Sequence, residues 1–208
     1  MLPRMIALCE RTHMGKDVVV NYLATTPLPR IIALCGRKQV GKDVVANYLA
    51  TRYGYKNVKF AEPLKDALQA LFKFTHTQIE IDKETIDPFW GVSPRQAMQF
   101  FGTEIMQFEI NRLIPGIGRD FFVKSLLARH PTGPIVISDM RFTHEYNAIK
   151  RVAANDSIII KIIKDTNDIC DHISETELNS IKGDYTINNS GSIQELYEKV
   201  EKIINHAR

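Results

Sequence analysis

Cysteine, membrane-length apolar runs and clustered charge are all scarce in this sequence. The 208 residues include three cysteines, Cys9, Cys35 and Cys170, with no C-x-x-C pair, so we expect no disulfide framework and a reducing, cytoplasmic location. No apolar run reaches the length of about 20 residues that a membrane-spanning helix needs, and charges interrupt the N-terminal apolar stretches, which argues against a secretory signal. The formal net charge of +3, without a long basic run, leads us to expect neither a nucleic-acid partner nor a membrane partner.

Two stretches of the chain are near-copies of each other. Residues 4–26 and 30–52 are identical at 16 of 23 positions, and only the second copy continues into a longer pattern of strands and helices. Two copies are too few for a solenoid, and each is one strand plus one helix, so we interpret the first copy as a partial duplication. We therefore predict an N-terminal extension at 1–29 and one domain at 30–208, which its 44% hydrophobic residues can support.

Apolar runs and helical periodicities alternate from residue 31 onward. Buried strands are predicted at Ile31–Cys35, Asn57–Phe60, Ile135–Ser138, Ser157–Ile163 and Tyr185–Asn188. Helices are predicted at Asp43–Tyr53, from Pro63, from Pro94 to about Leu113, at Arg119–Arg129, at 143–154 and after Ser192, with an irregular stretch at 75–93. Strands separated by helices predict a three-layer α/β fold, with a parallel sheet and helices on both faces.

A glycine-rich loop follows the first predicted strand. The segment from Gly36 to Lys42 has the spacing G-x-x-x-x-G-K and lies between a strand and a helix, which is the context that a phosphate-binding loop requires. In such a loop, backbone N–H groups surround a phosphate at the helix N-terminus, and the lysine reaches the β- and γ-phosphates of a nucleoside triphosphate. The residues predicted to hold the nucleotide are Gly36, Lys38, Val40, Gly41, Lys42, Asp43 and Val44.

Two positions distinguish this loop from others and from its own first copy. Asp43 stands where phosphate loops usually have Ser or Thr in contact with Mg²⁺; its carboxylate can contact the metal directly or through water, orient an acceptor, or only cap the helix. The first copy has Glu10 at the position of Gly36, which removes the permissive glycine and adds negative charge. We therefore expect the first copy to bind nucleotide poorly or not at all.

Three polar residues cluster at the end of the strand Ile135–Ser138. Asp139 stands where a Walker-B-like carboxylate lies beside a metal, and Asp139 and Arg141 alternate so that both can project into the crevice where α/β proteins bind ligands. A turn aspartate paired with a surface arginine is the alternative. Glu145 can reach a ligand or simply favour the N-terminus of the next helix. We predict Asp43 and Asp139 as metal ligands, and Lys42, Asp43, Asp139 and Arg141 as the catalytic residues.

The predicted long helix carries a second set of candidates. Arg95 and Gln99 are one turn apart and share a face that is distinct from the apolar stripe of Met98, Phe101, Ile105 and Phe108. A guanidinium suits the phosphate of an acceptor, although a lone arginine on a helix is more often a solvated charge. Lys65, near the start of the preceding helix, has the same two interpretations.

Five segments in one order resemble a known family. They are GRKQVGKD at 36–43, FAEPLKDAL at 60–68, SPRQAMQFFGTEI at 93–105, VISDMRFTHE at 136–145 and HISETEL…GDYTINNSGSIQEL at 172–196. In this order they are similar to the deoxynucleoside monophosphate kinases of tailed bacteriophages. The resemblance implies a P-loop kinase fold, ATP as donor, Mg²⁺, and transfer to a (deoxy)nucleoside monophosphate, in the host cytoplasm if the chain is viral.

The resemblance also implies roles for individual residues. It implies an acceptor region at about 61–116 and a lid at about 165–184, and it matches the D-x-R-x-x-x-E cluster at Asp139. Phe122 stands where the family has a tryptophan that stacks on the base, and Lys164 where it has an arginine. The residues predicted to bind substrate are Lys65, Arg95, Gln99, Phe122, Asp139, Arg141, Glu145, His172 and Glu175.

Two other functions remain open at this point. A kinase of the same fold can act on a different phosphorylated acceptor, of the phosphomevalonate type, and such kinases also carry the G-K-D sequence. A non-catalytic nucleotide-binding regulator is the second alternative, in which the extension at 1–29 blocks the site or mediates self-association. A homodimer is compatible with the sequence, which indicates neither the oligomeric state nor the preferred base.

Overall fold

The computed structural model of the chain describes residues 28–164, 177–178 and 180–207. The predicted extension at 1–29 lies outside this part except for its last two residues. Most of the predicted lid, including His172 and Glu175, also lies outside the described residues.

One parallel sheet forms the centre of the molecule, with strand order β2-β3-β1-β4-β5. The strands are β1 (Ile31–Cys35), β2 (Lys56–Val58), β3 (Ile135–Met140), β4 (Ser157–Ile163) and β5 (Tyr185–Asn188). Every residue of β1 is buried, because this strand lies between β3 and β4 with Ile31 beside Ile135 and Ser157. A strand that is covered on both faces has to be apolar throughout, and this explains why the continuous apolar run identified it.

Helices cover both faces of the sheet. They are α1 (Lys42–Tyr53), α2 (Glu62–Phe72), α3 (His76–Glu80), α4 (Pro94–Gln99), α5 (Phe121–Arg129), α6 (Thr143–Ala153) and α7 (Ile193–Ala207). Helices α1 and α7 pack on one face through residues such as Leu49 and Val200, and α2, α4, α5 and α6 pack on the other through Leu68, Val123 and Ile149. The predicted three-layer α/β fold is therefore confirmed. None of the helices in the described ranges is long and apolar enough to cross a membrane.

Some predicted boundaries are wrong by a few residues. Strand β2 ends at Val58 rather than Phe60, and β3 continues to Met140, so Asp139 lies inside the strand rather than after it. The stretch 75–93 contains the short helix α3, which begins with a capping box: Gln78 N donates to Thr75 Oγ1 at 3.2 Å, and Thr75 N donates to Gln78 Oε1 at 2.8 Å. Such a short helix depends on its cap rather than on an apolar periodicity.

The long helix predicted up to about Leu113 changes its type. After α4 it continues as a π-helix at Phe100–Phe108 and a 3₁₀-helix at Glu109–Arg112. Because a π-helix bonds residue i to residue i+5, its faces no longer follow the α-helical spacing. Phe108, which we predicted in the apolar stripe, is consequently 55% exposed, whereas the polar Gln107 is 5% exposed.

Candidate active site

The loop after β1 forms the centre of the site. Gly36 has φ of +152°, and a Cβ atom there would lie 2.3 Å from the carbonyl oxygen of Ile162 on β4 and 2.9 Å from Val40 Cγ2. Gly41 has φ of +102°, and the neighbouring Asn189 side chain donates to the Val40 carbonyl at 2.9 Å. Both glycines are therefore required by backbone conformation and close packing. The loop leads directly into α1, a helix of twelve residues whose first N–H groups have no partner within the helix.

Lys42 is folded over the loop. Its Nζ donates to the carbonyl oxygens of Gly36 at 2.7 Å and of Arg37 at 2.6 Å. The ammonium group is thereby held on the concave side of the loop, where phosphate oxygens can replace these carbonyls as partners. Of the other predicted loop residues, Val40 is buried, Lys38 is exposed and Val44 is partly buried.

Asp43 and Lys59 bring α1 and the end of β2 together. Lys59 follows the last residue of β2, and its Nζ lies 3.6 Å from Asp43 Oδ1. The Asp43 side chain is 75% exposed, so it is available to a ligand. Burial raises the pKa of Asp139, and the charge of Lys59 is one of those that oppose this shift. This lysine therefore places a cation near both predicted metal-binding carboxylates, and no sequence motif had singled it out.

Asp139 has a structural role in addition to the predicted one. Its two carboxylate oxygens accept hydrogen bonds from Phe60 N at 2.8 Å and Ala61 N at 3.1 Å, which fixes the chain between β2 and α2. Burial raises the pKa of Asp139, and the two N–H donors and the charges of Arg141 and Lys59 oppose this shift. Each oxygen keeps a further lone pair for another partner.

Glu145 caps the helix that follows β3. It is buried, and its Oε2 accepts hydrogen bonds from Arg141 N at 2.8 Å and Phe142 N at 3.0 Å. Between the two interpretations of Glu145, this geometry favours the helix cap. Arg141 itself is exposed and directly follows the carboxyl end of β3.

Replacing Glu145 by glutamine should change how stability depends on pH. Burial raises the pKa of Glu145 to about 8 from its ordinary value of 4.5. The unfolded chain therefore loses this proton near pH 4.5 and the folded chain near pH 8, so stability is present at low pH and declines as pH rises between these values. The glutamine keeps the acceptor oxygen but cannot ionise. We expect urea denaturation to show that, as pH rises from 5 to 8, the free energy of unfolding of Glu145→Gln increases relative to that of wild type. A difference between the two proteins that does not change with pH would contradict this.

The acceptor-side candidates are linked to carboxylates. Lys65 Nζ lies 2.6 Å from Glu80 Oε1, which connects α2 to α3, and Arg95 Nε lies 2.9 Å from Glu84 Oε1. Gln99 is exposed at the end of α4. The structure thus places Lys65 and Arg95 close to a set of charged side chains rather than on an isolated solvated surface.

Phe122 does not have the predicted position for base stacking. It is 9% exposed and belongs to the hydrophobic core beneath α5, with its ring centroid 5.6 Å from that of Phe121. The family resemblance implies an aromatic residue at this position, but it does not show which side of the helix faces the core. A ring that is packed in this way stabilises the fold.

A further polar cluster joins the π-helix, α6 and the last part of the predicted lid. Arg119 Nε donates to Gln107 Oε1 at 2.8 Å, its guanidinium lies 5.4 Å from the Phe142 ring centroid, and its NH1 is 3.4 Å from Glu177 Oε1. Glu177 also accepts from Thr143 N at 3.2 Å. Sequence analysis missed this cluster because the π-helix moves Gln107 inward and no local motif links these segments.

A cavity of about 240 Å³ lies beside the phosphate loop. It is bounded by the loop residues Gly36, Arg37 and Val40 and by the end of β4 at Ile163 and Lys164. The cavity therefore lies at the carboxyl edge of the parallel sheet, where α/β proteins bind their ligands.

The carboxylates in this region fit a magnesium ion that a nucleotide brings with it. The described residues contain no group of three or more carboxylate, histidine or cysteine side chains that could hold a metal by themselves. Magnesium at nucleotide sites instead takes one or two carboxylates together with phosphate oxygens and water. Asp43 and Asp139, with Lys59 near both, match that requirement.

Comparison with known proteins identifies relatives for most of the chain. The family model described as deoxynucleotide monophosphate kinase matches residues 30–92 and 72–200. A protein of Acanthamoeba polyphaga mimivirus, whose name assigns it to the deoxynucleotide monophosphate kinases, is 34% identical over 75% of this chain and 86% of its own length. The deoxynucleotide monophosphate kinase of Escherichia phage RB69 is 26% identical to this chain. The aligned part covers 73% of this chain and 54% of that relative. Shikimate kinase from Aquifex aeolicus is 13% identical, with a TM-score of 0.47 over 85% of this chain and 96% of its own.

Proposed function

Because the chain belongs to the deoxynucleotide monophosphate kinase family, we propose that it transfers the γ-phosphoryl group of ATP to a (deoxy)nucleoside monophosphate and releases the diphosphate. The observation that carries this proposal is the phosphate loop, with Lys42 held over it at the N-terminus of α1. This arrangement supports the binding of a triphosphate whose terminal phosphoryl group faces the carboxyl edge of the sheet.

The residues of this chain would act mainly by position and charge. Phosphoryl transfer requires the donor and acceptor phosphates in line and their negative charge neutralised, and it does not require an enzyme nucleophile. Lys42 would bind the β- and γ-phosphates, and Arg95 and Arg141 would bind the acceptor side. Asp139 would keep the β2–α2 connection in place through Phe60 and Ala61 while the acceptor region at about 61–116 contacts the substrate.

Asp43 and Asp139 are the residues that would hold Mg²⁺ in this proposal. The metal would supply neutralisation of the phosphate charge when it is bound with ATP. Asp43 is exposed at the first turn of α1, next to the loop that holds the phosphates. Lys59 forms an ion pair with Asp43 and interacts electrostatically with Asp139. Its positive charge would partly neutralise both carboxylates before the nucleotide binds.

The predicted lid at about 165–184 would complete the site by excluding water. Glu177, near the end of that segment, is joined to Arg119 and to the backbone of Thr143 at the start of α6. These contacts support a connection between the lid and the acceptor side of the sheet.

The cytoplasmic location also stays a proposal, and the buried free thiol of Cys35 is compatible with it.

The experiment that tests the proposed function is a coupled ADP-release assay with ATP, Mg²⁺ and a panel of deoxy- and ribonucleoside monophosphates. We expect at least one monophosphate to be converted to its diphosphate, with ADP formed in equal amount. ATP binding without turnover of any acceptor in the panel would overturn the proposal and favour a nucleotide-binding regulator. Phosphomevalonate is included as a control acceptor, and turnover of it alone would favour the other kinase class.

A further inference from the structure

Lys83 is a half-buried lysine in the connection between α3 and α4. Its carbonyl oxygen accepts a hydrogen bond from Arg95 N at 2.8 Å, so its backbone is fixed to the first turn of α4. Within the described part of the chain, no carboxylate lies within ion-pair distance of its ammonium group. Lys83 is thus positioned rigidly by its backbone while its charge has no ion-pair partner there.

The carboxylates near Lys83 are already bound to other cations. Glu80 pairs with Lys65 at 2.6 Å, and Glu84 pairs with Arg95 at 2.9 Å. Burial lowers the pKa of Lys83, the charges of Lys65, Arg95 and Lys38 lower it further, and Glu80 opposes them. Lys83 therefore lies in a region with more positive than negative charge.

The net positive charge around Lys83 complements the negative charge of a phosphate monoester. The side chains that interact with it are the cations Lys38, Lys65 and Arg95 and the anion Glu80, with Glu84 bound to Arg95. Together with Lys83 they comprise four cations and two carboxylates, which leaves an excess of two positive charges. A partly buried ammonium group without an ion-pair partner is costly, and a dianionic ligand would offset that cost.

Lys38 indicates which phosphate this ligand carries. It belongs to the phosphate loop that would hold the donor, and its charge acts on Lys83. Lys65 and Arg95 belong to the acceptor region. An anion bound by Lys83 would therefore belong to the acceptor, whose phosphate has to lie in line with the donor phosphates for transfer.

We propose that Lys83 binds the phosphate group of the acceptor nucleotide and is a determinant of acceptor affinity. This inference rests on the proposed function, because it assumes that the acceptor carries a phosphate. A charge-assisted hydrogen bond of this kind contributes about 1.5–3 kcal/mol, which corresponds to a loss of about 10- to 150-fold in acceptor affinity when it is removed.

The test compares Lys83→Met with wild type, using Lys202→Met as a matched control. Lys202 is an exposed lysine on α7, on the opposite face of the sheet. We expect Lys83→Met to raise the KM for the nucleoside monophosphate about tenfold or more, with the KM for ATP unchanged, while Lys83→Arg retains most of the affinity. The Lys202 variant should match wild type. An unchanged acceptor KM, or an effect confined to ATP, would overturn the inference.

Calorimetry separates this inference from the proposed function. Nucleoside monophosphate and the corresponding nucleoside without phosphate are titrated into wild type and into Lys83→Met. We expect the variant to lose affinity for the monophosphate alone. If wild type shows no turnover but binds the monophosphate more tightly than the variant does, the inference stands although the proposed function fails. Equal binding by the two proteins, or no binding of any monophosphate by wild type, would overturn it.

Discussion

Lys42→Ala should lower the rate of phosphoryl transfer by at least two to three orders of magnitude. The loss of one preorganised donor at a site of developing negative charge typically costs on the order of 10²–10³-fold in kcat. Lys42 is placed for this role because its Nζ binds the loop carbonyls of Gly36 and Arg37 at 2.7 and 2.6 Å, on the side where phosphates would lie. The measurement is steady-state ADP release with the best acceptor.

The duplicated segment provides the matched control for this experiment. Lys16 has the position in the first copy that Lys42 has in the second, so Lys16→Ala removes the same side chain from a nearly identical sequence. We expect Lys16→Ala to retain wild-type turnover. Retained activity in Lys42→Ala together with lost activity in Lys16→Ala would falsify the assignment of the second copy as the working loop. Thermal melts of both variants check that any loss of activity is not a loss of folding.

Gly36→Ala should both destabilise the fold and weaken nucleotide binding. The added Cβ would lie 2.3 Å from the carbonyl oxygen of Ile162, so β4 or the loop has to move. Overpacking of this kind typically costs about 1–3 kcal/mol, in addition to the strain of a positive φ. A displaced loop would no longer present its N–H groups to the phosphates, and the KM for ATP should therefore rise as well.

Gly54→Ala is the comparison variant for Gly36→Ala, because it has a positive φ but no steric clash. Gly54 also has a positive φ, of +74°, but a Cβ atom there would meet nothing within 4 Å. We expect this variant to lose only about 1 kcal/mol and to keep its nucleotide affinity. The two free energies of unfolding are compared by urea denaturation. Equal losses in the two variants would mean that the contact with Ile162 has no energetic weight.

Much of the fold and the phosphate loop could be predicted from the sequence. Strands buried on both faces have to be mainly apolar, so β1, which is apolar throughout, and the isoleucine-rich β4 were identified with their observed bounds. The loop from Gly36 to Lys42 was identified because its spacing and its place between a strand and a helix are local properties of the chain. The capping pattern Ser192-x-x-Glu195 likewise marked the start of α7, and Glu195 N donates to Ser192 Oγ at 3.2 Å.

Other parts of the site depend on contacts between distant segments. Lys59 and Lys83 belong to no sequence motif. Their proposed roles depend on the charged side chains that the fold brings near them. The π-helix was missed because periodicity arguments assume α-helical spacing, and this error concealed Gln107. The resemblance assigned Phe122 to base stacking, and a resemblance does not show that this residue lies on the buried face of α5.

The close approach of Gly36 to Ile162 also bears on how a chain with two similar beginnings reaches one structure. The sequence Ile-Ala-Leu-Cys occurs at 6–9 and again at 32–35, so both segments could supply the apolar residues of the central strand. A chain threaded through the first segment would bring Glu10 against β4 at the point where even a Cβ atom lies 2.3 Å from a carbonyl oxygen. We therefore expect the glycine at 36 to favour the observed chain register over one that is shifted by 26 residues.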